Sequence, residues 1–79
     1  RGSSALSFEL ATEGELSLEV YDLRGARVRT LARGVRPAGR HTMAWDGRDE
    51  AGRPLPAGLY MVRMSAAGYE GRMKLVRME

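Results

Sequence analysis

Leu16-Ser17-Leu18-Glu19-Val20-Tyr21-Asp22-Leu23-Arg24-Gly25 decides the fold class. Its apolar residues at 16, 18 and 20 alternate with Ser17 and Glu19, the two-residue period of a strand with one buried face. The run stops on Asp22 and Gly25. An aspartate side chain caps a tight turn and a glycine accepts its positive φ, so the stretch reads as half of a hairpin. Working outward, the alternation recurs upstream in Leu6, Phe8 and Leu10, set against Ser7 and Glu9. Downstream it resumes from Val28 to Leu31, then in His41, Met43 and Trp45, then in Tyr60, Val62 and Met64. A last strand is expected over Arg72 to Met78. There Met73 and Leu75 compete with Val76 and Met78 for the inward face and leave the register open.

Glycine and proline exclude a helical alternative. The longest stretch free of both, Ser3 to Glu13, is eleven residues. That leaves room for no more than one average helix, and no segment has the three-to-four spacing of an amphipathic one. Ala32 to Ala38 reads as a loop interrupted by Gly34 and Pro37. Asp46 to Gly58 reads as turn chemistry with room for one short strand near Leu55, and Ala67-Gly68 as a second hairpin turn. Leu59 and Met61 leave apolar surface on an outer face. Six to seven strands, with turn signals about every 8–12 residues, argue for an all-β, small immunoglobulin-like antiparallel sandwich, with a small closed barrel as the alternative. It is expected over residues 5–79, and the polar residues 1–4 read as a linker or a remnant of cloning.

Seventy-nine residues support one thin core, since chains of this size bury about 60–65% of the surface they expose when unfolded. Hydrophobic residues at 43% and charged residues at 29% are ordinary globular proportions. No apolar run approaches the roughly 18–20 residues that cross a bilayer, and no signal-peptide pattern opens the chain. With no cysteine, disulfides, thiolate catalysis and cysteine zinc sites are excluded. The net charge of +3 comes from 13 basic residues interleaved with 10 acids. No aromatic residues alternate with the basic ones and no recognition helix is present, so no nucleic-acid partner is expected.

Candidate chemistry is sparse. His41, the single histidine, has no nucleophile at a recognisable spacing, so no enzyme and no cofactor are expected. Asp46, Asp49 and Glu50 are weak metal candidates: oxygen ligands in a glycine-bearing loop suit calcium, but three carboxylates fall short of the ~6–8 oxygens it takes, and turns use the same residues. Trp45 is expected at the centre of the core, with Tyr60 packed inward and its hydroxyl bonded to backbone. Exposed aromatics would instead make Trp45, Tyr69 or Tyr21 platforms for a carbohydrate or cell-wall ligand.

From Leu6 to Met78 the chain resembles the Ig-like domain family named for the flagellar hook-capping protein, and equally the C-terminal sorting domains of type IX secretion cargo. The residues that carry the likeness are Leu16 to Gly25, Ala38-Gly39-Arg40-His41, Trp45-Asp46-Gly47-Arg48-Asp49, Pro56-Ala57-Gly58-Leu59-Tyr60 and Lys74. The resemblance implies that Trp45, Asp46, Gly47, Gly58, Tyr60, Asp22 and Gly25 define the fold. Of its two branches the secretion tail is favoured here. It implies a non-catalytic module that sorts or anchors a secreted bacterial protein at the cell surface or outside the cell, after passage through the periplasm. Its partners would be secretion machinery or a surface receptor, together with upstream domains of the parent protein. The alternatives are a hook-capping scaffold domain and a carbohydrate-binding module. In the sorting reading Gly58, Tyr60, Lys74, Leu75 and Val76 on the last two strands meet the partner, because a sheet edge offers backbone groups for strand addition.

Overall fold

The structure, a computed structural model, describes residues 4–66 and 69–77. Six strands follow one another: β1 Ser4–Leu10, β2 Gly14–Tyr21, β3 Arg27–Arg36, β4 Gly39–Trp45, β5 Gly58–Ala66 and β6 Tyr69–Arg77. β1 and β4 make a two-stranded sheet, while the other four make a second sheet in the order β3-β2-β5-β6. All pairings are antiparallel. This is the small immunoglobulin-like sandwich. The short strand expected near Leu55 is reduced to a single bridge between Arg48 and Pro54.

The period-two runs place the core. Leu16, Leu18 and Val20 of β2 are buried against Leu6 and Leu10 of β1 and against Trp45 of β4, and Tyr60, Val62 and Leu75 complete the layer. Each fully buried aliphatic side chain stabilises the fold by about 1.5–3 kcal/mol before conformational entropy is charged against it. Tyr60 pairs with Leu75 and Val62 with Met73, which closes the register of β6. Leu75 points inward, and Val76 points outward at 59% exposure.

Two expectations need correction or restriction. The loop expected over Ala32 to Ala38 is strand as far as Arg36. Gly34, which interrupts the pattern there, sits inside the strand at φ 127°, while the register shifts at Leu18/Glu19 and Val20/Tyr21 leave Leu31 and Val28 as extra residues within the stretch expected as strand. Ala32 is buried opposite Leu18, and Gly34, opposite Leu16, takes a φ that favours glycine. The linker expected over residues 1–4 falls outside the described residues except at Ser4, which pairs with Trp45. The turn at Ala67-Gly68 and the inward candidate Met78 also lie outside them.

The wider sheet has two edges. At the β3 edge the Asp46–Pro54 loop lies alongside the strand: the Glu50 amide donates to the Val28 carbonyl at 3.1 Å, and the Glu50 carboxylate accepts from the Thr30 amide. At the other edge, β6 pairs with β5 alone among the described strands.

Candidate functional site

The acids of the Asp46–Pro54 loop are spent on its own architecture. Asp46 Oδ1 accepts from the Arg48 amide at 3.0 Å and from Arg29 Nη1 at 3.2 Å. Asp49 Oδ1 accepts from the amides of Ala51 at 3.0 Å and Arg53 at 2.9 Å. The Arg53 amide, ahead of the Ala51 amide and the Arg53 charge, holds the Asp49 carboxyl below its ordinary value. Glu50 faces β3. The three carboxylates therefore do not converge, and among the described residues no group of three His, Cys, Asp or Glu is placed to hold a metal ion.

Asp49 repeats a turn found at the first hairpin. There Asp22 Oδ1 accepts from the amides of Arg24 at 2.9 Å and Ala26 at 3.0 Å, and the Gly25 amide donates back to the Asp22 carbonyl at 3.0 Å. In the loop the Gly52 amide donates to the Asp49 carbonyl at 3.0 Å in the same way. The Asp22 carboxyl is likewise held below its ordinary value, chiefly by the Ala26 amide.

Trp45 connects this loop to the core. Its ring is fully buried and meets Tyr60 edge to face, with centroids 5.2 Å apart and planes at 73°. The indole N–H donates to the Arg48 carbonyl at 3.0 Å, and the Tyr60 hydroxyl to the Pro56 carbonyl at 2.6 Å. Gly47, at φ 79°, is covered by the guanidinium of Arg77. A β-carbon there would overlap Arg77 Nε and stand 2.8 Å from Cζ. Only glycine permits that approach.

The aromatic residues form no shared platform. Trp45 is sealed in the core. Tyr21 is half-buried on the outer face of the four-stranded sheet, its hydroxyl donating to Glu19 at 2.8 Å. Tyr69 begins β6 and lines the inner side, beside Met73. His41 stacks on Phe8 with centroids 5.5 Å apart and donates from Nε2 to the Pro37 carbonyl at 2.8 Å, which ties down the hairpin that precedes it.

The residues expected on the last two strands separate by face. Tyr60 and Leu75 sit opposite one another in the core, and Gly58 pairs with Arg77 at the strand ends. Lys74 and Val76 are exposed on the outer face of β6. Arg72 joins them there, directly opposite Arg63 of β5. Arg63 is itself bound by Glu70, at 3.0 Å from its Nε, so its charge is already answered. On the inner side a groove of about 400 Å³ runs beside β6, lined by Phe8, Leu10, Met64, Tyr69 and Met73. Sequence reasoning did not single out this groove or Arg72. Met73, apolar and 42% exposed at this groove, was weighed in the sequence only as a candidate for the inward face.

These features define a small immunoglobulin-like module with one braced edge and one bare edge. Residues 1–69 match the FlgD Ig-like domain model, and the chain belongs to that family. Its fold is shared with the crystal structure of FlgD from P. aeruginosa, at TM-score 0.69 and 26% identity over 95% of this chain and 60% of that one. It is shared also with FlgD from Xanthomonas campestris, whose structure bears on the hook capping essential for flagellar assembly, at TM-score 0.73 and 26% identity over 96% of this chain and 57% of that one. The chain thus spans less than two thirds of each. No curated protein matches it. These matches correct the expected localisation, because they tie the fold to flagellar hook capping and not to a cell-surface or secreted domain. The type IX half of the resemblance, with its sorting signal and secretion machinery, draws no support from them.

Proposed function

We propose that the chain is the Ig-like module of a flagellar hook-capping protein, a non-catalytic domain that works through contacts with other protein subunits of the hook. The observation that carries this is the family match, together with a fold that follows FlgD of Xanthomonas campestris across 96% of the chain. The arrangement of the charged residues supports it. Asp22, Asp46, Asp49 and Glu50 are engaged with backbone amides, which is what a rigid scaffold needs and what a reactive centre does not. In this proposal the fold-defining residues remain Trp45, Asp46, Gly47, Gly58, Tyr60, Asp22 and Gly25.

A domain exchange tests it. Residues 1–79 replace the matching segment of FlgD in Xanthomonas campestris, and hooks are scored by electron microscopy alongside swimming. The exchange is expected to restore both, whereas deletion of the segment abolishes both. Normal hooks in the deletion strain, or a folded and stable chimera that caps no hooks, would overturn the assignment.

A further inference from the structure

We infer that β6 is the docking edge of the module and that it takes an extended segment of a partner protein in which acidic and apolar side chains alternate. The inference deepens the assembly role proposed above and rests on it only for where the partner is to be found. β6 pairs with β5 alone among the described strands, so its other side offers backbone donors and acceptors to a further strand. The first half of the β3 edge does not, because Glu50 occupies Val28 and Thr30; its second half, Leu31 to Arg36, carries no acid and, among the described residues, no apolar groove beside it.

The two faces of β6 then specify what such a strand carries. A strand laid beside β6 places each side chain on the same face as the residue opposite it. On the outer face it meets Arg72 and Lys74, both exposed and both outside every ion pair among the described residues. Glu70, the one acid on that face of β6, is bound to Arg63. Carboxylates answer this row. On the inner face the added strand meets Met73 and the groove formed with Phe8, Leu10 and Met64. The groove's rim includes the exposed Glu9 and Glu15, so apolar and not acidic residues belong in this row. A second copy of the chain meets two registers. Antiparallel pairing of β6 with itself about Met73 sets Arg72 against Lys74 twice, a destabilising pairing of like charges, and pairing about Gly71 sets Arg72 against Glu70, which Arg63 already holds.

Two capped nonapeptides provide the test, one alternating valine with glutamate and the other valine with lysine. They are titrated into the full ¹⁵N-labelled chain and read by amide shifts and hydrogen exchange. The glutamate peptide is expected to protect amides of Tyr69 to Arg77 and to bind about tenfold tighter than the lysine peptide, given the size of cross-strand charge pairs. In the R72E/K74E variant the order of the two peptides is expected to reverse, while the spectrum away from β6 stays unchanged. Equal affinity for the two peptides, protection on β3, no binding of either, or dimerisation through β6 would each overturn the inference. Failure of the hook exchange with normal peptide docking would overturn the proposed function alone.

Discussion

β3 and β6 bound the same sheet, yet their edges are finished by different means. At Val28 and Thr30 the β3 edge is closed by backbone and side chain of a loop that also holds Trp45 and Arg29. The β6 edge is guarded only by the charges of Arg72 and Lys74 on one face. Hydrogen-bonded closure excludes every partner, whereas charge excludes only partners of the same sign. The contrast shows that a small sandwich can settle part of one edge by hydrogen bonds and leave the other selective by charge.

The largest effect is expected where the braced edge meets the core. Trp45→Ala removes the central ring and the bond to the Arg48 carbonyl together, at about 3–5 kcal/mol by urea denaturation. Against the roughly 5–15 kcal/mol that folded domains have in general, that is a large share. The native β6 edge cannot rescue the variant, so a β3 edge that stays protected from hydrogen exchange in Trp45→Ala would show that the loop is held by something else.

A smaller change converts one edge toward the other. Glu50→Ala removes the acceptor for the Thr30 amide and should cost about 0.5–1 kcal/mol. Faster exchange is expected at Thr30 but not at β6 amides. Glu50→Gln, which keeps a carbonyl acceptor, should exchange more slowly there than Glu50→Ala. Identical exchange in the two variants would place the closure in the Glu50 amide instead.

The smallest effect separates the two aspartate turns from both edges. Asp22 and Asp49 are held below the ordinary value of 3.8. A depressed folded-state value means that the stability they contribute is present above the unfolded value and is lost as pH falls through the folded one. The denaturation midpoint should therefore be flat with respect to these groups at neutral pH and decline below about pH 4. In D22N/D49N, where the amide oxygen still caps the turn, that decline should flatten.

Where neighbouring residues alone decide structure, the sequence is readable. Leu16 to Val20 and Tyr60 to Met64 declare their faces through alternation, and Asp22 and Gly25 declare a turn. The second half of β3 reads as loop because Gly34 interrupts it and Pro37 follows it, and only the unbroken pairing of Ala32 to Arg36 with β2 keeps it extended. The role of Glu50 was hidden because its acceptor atoms meet an amide twenty positions away, a distance over which no local pattern operates. The register of β6 depends on β5, and Arg72 gains its meaning only from which strand is left at the edge. The inward face of Tyr60 is legible from its alternation with Val62 and Met64, but which of Leu75 and Val76 turns inward is not, because that depends on pairing with β5.

Ser4 pairs with Trp45, and Arg77 lies over Gly47 just beyond it. The entry of the first strand and the exit of the last are therefore fastened at one pole of the sandwich, around a single indole ring. A polypeptide entering there leaves nearby, so the module can be spliced into a surface turn of a host domain without prising that turn apart.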